Sequence, residues 1–229
     1  RLDSLERFES TRTAYGDAAR LVLAESAGHV RHLGSVADYL DVKPGFEHAV
    51  EACLGDTLQF VVVPTHEEAE RALHLVSARG AGRCGFVVVD GAPATDGGRT
   101  SAEVFPGLTP LDAVVSVSGA CAGALRPFVT AGWIAATFAD AVKAARQTAA
   151  PVATRQGEVC RGANLVWGGA GQHDQGGILQ TKSAIRQARE RLEVERIQVA
   201  TFDTMLADVD CRAAEAAAAI GAMSEEVHV

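Results

Sequence analysis

The most regular hydrophobic pattern of this chain lies in roughly its last fifty residues, where apolar side chains recur at every seventh position. The first position of this repeat holds Ile185, Leu192, Val199, Leu206, Ala213 and Ile220. The position three residues further on holds Ala188, Glu195, Phe202, Val209, Ala216 and Met223. A spacing of this kind, interrupted only by Glu195, is typical of a coiled coil. It predicts a long outgoing helix over residues 178–229 that pairs with another helix.

A shorter version of the same pattern opens the chain. Alternating steps of three and four residues connect Leu5, Phe8, Arg12, Tyr15, Ala19 and Val22. This spacing predicts an incoming helix over residues 1–25. The two helices could pair with each other in antiparallel orientation. Because both patterns are cut off at the chain ends, we expect a longer protein to continue beyond residues 1 and 229.

The region between the two helices has the pattern of a mixed α/β domain. "EHAVEACLGD" has helical spacing and stops at Gly55, and "LQFVVV" is a strand ended by Pro64. The next helix starts at Thr65 as N-cap, with Glu68 at its third position, and the strand "GFVVVD" follows. The order helix, strand, helix, strand is therefore predicted for the first half.

The second half repeats this order, with "ALRPFV", "GWIAATF", "ADAVKAARQTA", "PVATRQGEV" and "ANLVWGG". Aligning "GDTLQFVVVPTHEEAERAL" with "TAGWIAATFADAVKAA" superimposes a strand, a turn and an Ala-rich helix. We therefore predict an internal duplication, in which two subdomains over residues 26–100 and 101–177 bury apolar faces against each other. The Gly/Pro-rich stretch from Gly91 to Thr109 would connect them.

Composition narrows the class of protein. With 229 residues, of which 48% are hydrophobic, the chain can bury a substantial core. Its formal net charge of −8 argues against a surface that binds nucleic acid throughout, so any DNA contact must be local. Five widely spaced cysteines indicate a reducing compartment rather than a disulfide framework. Since no apolar run reaches membrane-spanning length, we predict a soluble cytoplasmic protein.

The glycines Gly80, Gly82 and Gly85 match the G-x-G-x-x-G pattern of dinucleotide-binding proteins. That motif requires a strand before the glycines and a helix after them, so that the helix N-terminus faces the pyrophosphate. Here the order is reversed. The favoured interpretation is that Gly80 ends the helix and the other two glycines turn the chain into the following strand.

Other chemical motifs are weak. His29 and His32 are three residues apart, but no further metal ligand follows at a useful spacing. Glu67, Glu68 and Glu70 lie in the first turns of a predicted helix, where negative charge favours the helix dipole. No nucleophile elbow or phosphate-binding loop is present. We predict no catalytic site, no metal and no cofactor in this chain.

The stretch "RGANLVWGGAGQHDQGG" joins an apolar run to the outgoing helix. "NLVWGG" predicts an edge strand that another backbone can approach closely, and such an edge invites pairing with a second chain. Lys182, Arg186 and Arg189 follow on the first turns of the helix. They could be a solvated helical face, which we favour, or a weak DNA-binding module that contacts phosphates.

In these motifs the chain resembles the hinge domain of structural maintenance of chromosomes (SMC) proteins. The resemblance rests on "YGDAARLVL", "LGSVADYLDVKPGFEHAVEACLG", "LQFVVVPTHEEAERAL", "GAGRCGFVVVD" and "PVATRQGEVCRGANLVWGG", in that order. It implies two pseudo-repeated subdomains, an antiparallel coiled-coil arm, and a function in joining two arms around DNA. ATPase heads, absent here, would lie at the far end of the arm and bind kleisin and other condensin-type subunits.

The resemblance also implies a homodimer in the nucleoid, formed through the last strand of the hinge. The residues that it assigns to the dimer interface are Gly162, Asn164, Leu165, Val166, Trp167, Gly168 and Gly169. Many bacterial relatives carry a lysine-rich run after this Gly-Gly pair that is proposed to contact DNA. In this chain the same place is occupied by "AGQHDQ", so basic residues begin only at Lys182.

Overall fold

The computed structural model describes residues 2–12, 14–24, 30–90, 105–168 and 177–226. It divides into a globular unit from Asp3 to Ala184 and a helical unit from Ile185 onward. Most of the predicted segment from Gly91 to Thr109 lies outside the described residues. In the described ranges, no helix is both long and apolar enough to cross a bilayer.

The incoming segment forms two helices where the sequence predicts one: α1 (Leu2–Thr11) and α2 (Asp17–Ala24). Between them Arg12 adopts a left-handed conformation with φ of 49°, which ends α1. The periodic positions Tyr15, Ala19 and Val22 are buried in the globular unit. The prediction of one continuous helix was wrong. The apolar positions of its second part pack into the core of the globular unit and do not form a coiled-coil seam.

The first half of the globular unit follows the predicted order of elements, with additional short strands. Its elements are β1 (Gly34–Ser35), a 3-10 helix (Val36–Tyr39), β2 (Leu40–Val42), α3 (Glu47–Leu54), a second 3-10 helix (Gly55–Gln59), β3 (Val61–Val63), α4 (His66–Arg79) and β4 (Phe86–Val88). The strands β1, β3 and β4 form one sheet in that order. In it, β1 is antiparallel and β4 is parallel to the central β3.

The second half repeats these elements and adds a hairpin. Its elements are β5 (Thr109–Pro110), a 3-10 helix (Leu111–Ala113), β6 (Val115–Val117), α5 (Ala122–Val129), β7 (Trp133–Ala135), α6 (Phe138–Ala145), β8 (Val152–Thr154), β9 (Val159–Arg161) and β10 (Leu165–Trp167). The second sheet has the order β10-β9-β8-β7-β5. The long outgoing helix α7 then spans Ile178–Glu226.

The strand register confirms the predicted duplication. Gly34 lies opposite Val62 in the first sheet, and the corresponding Thr109 lies opposite Ile134 in the second. The two crossover helices also begin alike. The Thr65 hydroxyl caps α4 by accepting the N–H of Glu68, and the Thr137 hydroxyl caps α6 by accepting the N–H of Asp140 at 3.2 Å. The same supersecondary unit therefore occurs twice.

The two copies meet at a two-stranded antiparallel ladder formed by β2 and β6. Leu40 lies opposite Val117 and Val42 opposite Val115, so the pair is symmetric about its centre. A shared core surrounds this ladder and contains buried side chains of both copies. It includes Val36, Val50, Leu58, Leu111, Leu125, Ile134 and Val159. Each copy also has a smaller core of its own around its crossover helix.

The glycines of the G-x-G-x-x-G stretch shape the fold as predicted. Gly80 ends α4 in the left-handed conformation, with φ of 60° and ψ of 28°, and its N–H bonds to carbonyls of the last turn. Gly85 precedes β4 and lies against an aromatic ring. A Cβ atom added at Gly85 would lie only 2.6 Å from Cγ of Phe60 and would overlap the ring.

We therefore expect Gly85→Ala to lower the free energy of unfolding by about 1–3 kcal/mol, the usual cost of overpacking. Gly123→Ala is the matched control, because Gly123 lies within α5 with open space around its Cα. That substitution should raise stability by about 0.5–1 kcal/mol, since alanine favours a helix. Urea denaturation followed by circular dichroism measures both. Equal effects of the two substitutions would contradict the packing argument.

Candidate functional site: open sheet edges and a helix anchor

The strand β10 forms one edge of the five-stranded sheet. It pairs with β9 alone, with Leu165 opposite Arg161 and Trp167 opposite Val159. The side chains of Leu165, Val166 and Trp167 are 53%, 52% and 40% exposed. An open edge with three consecutive exposed apolar residues is a template for pairing with another chain. The predicted edge strand is thus present in the described structure.

The other sheet edges differ in the length of backbone that they leave for pairing with another strand. β1 and β5 are only two residues long, and Pro110 in β5 has no N–H to donate. β4 has three residues, with Val87 buried between the half-buried Phe86 and Val88. Among the described edges of the three-stranded and five-stranded sheets, β4 and β10 are therefore the two of matching length.

The predicted interface glycines have distinct surroundings. Gly162 occupies the turn between β9 and β10 with φ of 59°, next to the exposed Asn164, and has open space around it. A Cβ atom at Gly168 would lie 3.0 Å from the Cα of Glu158 in the same chain. Gly168 is therefore needed for packing within its own subunit, whatever it allows in a dimer. Gly169 lies outside the described residues.

The start of α7 is held by carboxylates of α3. Glu51 Oε1 accepts the N–H of Leu179 at 2.6 Å, which caps an otherwise unpaired donor at the helix N-terminus. Burial raises the pKa of Glu51. The Cβ of any residue replacing Gly177 would lie 2.6 Å from Glu51 Cδ, so the chain passes very close to this carboxylate. One turn further on, Ser183 donates to Glu47 at 3.0 Å.

Lys182 lies between two further carboxylates. Its Nζ donates to Glu9 Oε1 of α1 and to Asp38 Oδ1 of the first 3-10 helix, each at 2.6 Å. The second oxygen of Asp38 accepts the N–H and the hydroxyl of Ser35. The hydroxyls of Ser35 and Tyr15 are 2.9 Å apart. We use the name arm anchor for the four carboxylates that contact the start of α7, which are Glu9, Asp38, Glu47 and Glu51.

The charges in this cluster stabilise each other. Burial alone would raise the pKa of Asp38, but the charge and hydrogen bond of Lys182 outweigh it and lower that pKa. Burial alone would likewise lower the pKa of Lys182, but Asp38 and Glu9 raise it. Both groups therefore stay ionised at neutral pH. Side chains that are about one-fifth to one-third exposed are screened only partly by salt.

This arrangement changes the picture of the basic cluster predicted from sequence. Only 19% of the Lys182 side chain is exposed, and its charge is compensated by two carboxylates of distant segments. Arg186 and Arg189 follow on α7, and Arg189 is exposed. Sequence reasoning missed the partners Glu9 and Asp38. One local signal for Asp38 was the capping box that it forms with Ser35, a motif that usually serves the local backbone.

Groups that could support catalysis are not brought together in the described part of the chain. A groove of about 570 Å³ runs beside Asp56, Leu73, Arg83 and Cys84. Burial raises the pKa of the Cys84 thiol to about 11, so it is a poor nucleophile at neutral pH. Among the described residues, no three His, Cys, Asp or Glu side chains are placed to hold a metal ion. His29 lies outside those residues.

Solved structures that share this fold include SMC hinge domains. An asymmetric dimer of the Geobacillus stearothermophilus SMC hinge domain matches with a TM-score of 0.74 and 19% identity, over 87% of this chain and 82% of that one. The Pyrococcus furiosus Smc hinge domain with an extended coiled coil matches with a TM-score of 0.55 and 19% identity, over 91% and 75%. At these identities the likeness shows the fold alone.

Sequence comparison gives the same family. The chromosome partition protein Smc of Lactiplantibacillus plantarum is 24% identical over 91% of this chain, and that of Myxococcus xanthus is 29% identical over 86%. The chain spans 18% and 17% of the length of these relatives. The family model described as SMC proteins Flexible Hinge Domain matches residues 29–145, just over half of the chain. Two similar sheets joined by one ladder, an open edge strand and this match lead to one conclusion: the chain belongs to the SMC hinge family.

Proposed function

We propose that this chain is the dimerisation hinge of a chromosome-partitioning SMC ATPase and that it pairs with a second copy of itself. The observation that carries the proposal is the open apolar edge of β10. A soluble protein seldom leaves such an edge unpaired, because it favours aggregation. Pairing within a defined dimer would cover the edge and would explain why it is apolar and exposed in the single chain.

Two matching edges suit a symmetric dimer. In a two-fold arrangement, β10 of one subunit would add to β4 of its partner, and the same contact would recur on the other side. β4 belongs to the first copy of the repeat and β10 to the second, so each copy contributes one edge. Main-chain hydrogen bonds would supply part of the affinity, and the exposed side chains of β10 would supply apolar burial.

The arm of the proposed hinge follows from α7. Its seam residues Val199, Phe202, Leu206 and Val209 are exposed in the helical unit. A helix of this length with a continuous apolar stripe is stable in water when a second helix covers the stripe. We infer that this seam belongs to an antiparallel coiled-coil arm.

The function of the whole protein is part of the same proposal. The relatives are chromosome partition proteins, and we infer that this hinge joins two arms and helps control when DNA passes between them. ATP-hydrolysing heads at the far ends of the arms would bind kleisin and other condensin-type subunits. The assembly would act in the cytoplasm, on the nucleoid.

We expect this chain to sediment as a dimer at micromolar concentration. Replacing Leu165 and Trp167 together by glutamate should give a folded monomer, because two charges would be placed at the proposed interface while both side chains are already exposed in the single chain. This pair is a better test than Gly168→Glu, since a side chain at Gly168 would collide with Glu158 in its own subunit. Analytical ultracentrifugation and circular dichroism measure the two properties.

Leu73→Glu with Phe138→Glu is the matched control for that experiment. Both residues lie on helices and are 49% and 45% exposed, similar to the edge residues. The control should sediment as the unaltered dimer. A monomeric wild-type chain, or a dimer unaffected by glutamates in β10, would contradict the proposal.

DNA binding at the junction between hinge and arm is the alternative function, and it now depends on Arg186 and Arg189. Each phosphate contact contributes about 0.9 to the slope of log affinity against log salt concentration. Alanine at both arginines should therefore reduce the slope by about 2, whereas Lys182→Met should leave it nearly unchanged, because Lys182 is bound to Glu9 and Asp38. Fluorescence anisotropy with labelled DNA measures the slope. Absence of binding at low salt would remove this alternative.

A further inference from the structure

Because the repeat occurs twice, a comparison of its copies distinguishes the residues that the fold requires from the residues that have a different role. The two copies align without a gap from the start of β1 to the end of α3, so that Gly34 corresponds to Thr109 and Leu54 to Val129. Both stretches form a strand, a 3-10 helix, a second strand and a helix of eight residues. A side chain that occurs in one copy alone is therefore not required for this local structure.

By this comparison, the three arm-anchor carboxylates that lie within the repeat occur in the first copy alone. Ser35 and Asp38 correspond to Pro110 and Ala113, which take part in the same strand and 3-10 helix without any carboxylate. The α3 carboxylates have no counterpart either. Glu47 corresponds to Ala122 and Glu51 to Arg126. Besides local bonds that Asp38 and Glu47 accept from Ser35 and Gly45, the three carboxylates of the first copy thus make contacts with α7 that the second copy lacks.

The first copy also carries additional residues that hold the break between α1 and α2. Residues 55–60 separate α3 from β3, whereas only residues 130–132 separate α5 from β7. The longer connection forms the 3-10 helix that ends at Gln59. The Gln59 side chain accepts the N–H of Gly16 at 2.7 Å, immediately before α2. The break in the incoming segment is thus fixed by a feature that the second copy lacks.

The two incoming helices are held in different ways. In α2, Ala18, Ala19, Val22 and Leu23 are buried against the sheet and α4, so this helix is part of the core. In α1, no described side chain is buried, and the helix ends at Arg12. The ion pair of Glu9 with Lys182 joins α1 to the first turns of α7, and Asp38 joins the same lysine to the first copy.

We propose that Lys182 is a positioning residue that fixes α1 to α7 and to the 3-10 helix Val36–Tyr39, so that α1 can be released at the break while α2 stays in the core. Lys182 thereby joins the incoming and the outgoing helix to the same copy of the repeat, and Arg12, 4.0 Å from Asp38, adds a weaker contact at the end of α1. Loss of Lys182 therefore weakens the attachment of α1 and leaves the fold intact. The inference rests on the proposed function only in treating α1 and α7 as parts of an arm.

Hydrogen exchange with mass spectrometry tests this proposal on the whole 229-residue chain. In Lys182→Met, the amides of α1 should lose about tenfold or more in protection, the change expected for loss of a hydrogen bond between charged groups. The amides of α2, β3 and α4 should keep their protection. Lys182→Arg, which retains the charge, should restore much of the protection of α1.

Asp38→Asn provides a second variant, because its side-chain oxygen can still accept the N–H of Ser35 while the charge that pairs with Lys182 is lost. It should also release α1, while β1 and β2 keep their protection. Lys43→Met is the matched control, since Lys43 is an exposed lysine of the same copy, and it should change nothing.

Two results would overturn the inference: unchanged protection of α1 in Lys182→Met, or equal loss of protection in α1, α2 and β3. Sedimentation of the same variants distinguishes failure of the proposed dimerisation from failure of the proposed role of Lys182. If the wild-type chain is a monomer, the dimerisation hinge fails, yet selective release of α1 would still support the role of Lys182. If all variants are dimers and α1 does not respond, the role of Lys182 fails alone.

Discussion

The antiparallel ladder between β2 and β6 is the contact on which the rest of the hinge depends. Neither copy of the repeat can bury both faces of its small sheet alone, because one face of each is left for the shared core. The ladder brings these faces together, with Leu40 opposite Val117 and Val42 opposite Val115. The open edges β4 and β10 then belong to two sheets that share one core. The geometry of the proposed dimer depends on this pairing.

Much of the fold could be predicted because its signals are local. The Thr65 cap, the Gly80 stop and the apolar run before Pro64 each act within a few residues, and α4 and β3 occur where they predict. The shortest strands were missed because two or three residues carry no periodicity. The break at Arg12 was missed for another reason: a non-glycine residue in the left-handed conformation is uncommon.

The candidate site could be predicted only where one segment contains it. The exposed edge followed from "NLVWGG", whose residues are consecutive. The environment of Lys182 could not be predicted, because Glu9 and Asp38 come from segments 173 and 144 residues away. A basic residue near other basic residues was therefore taken for a surface charge. Comparison of the two repeats would have given a signal, since Asp38, Glu47 and Glu51 have no acidic counterpart.

The contact between Lys182 and Asp38 also makes the hinge modular. Together with the contact between Lys182 and Glu9, which closes a loop of 173 residues, it brings α1 and the first turns of α7 to the same place on the globular unit. A domain whose ends meet in this way behaves as an insertion between two helices, and insertions of this kind are tolerated well by folds. We therefore expect a hinge of this kind to accept different sequences beyond the junction, provided that the junction itself keeps its charges.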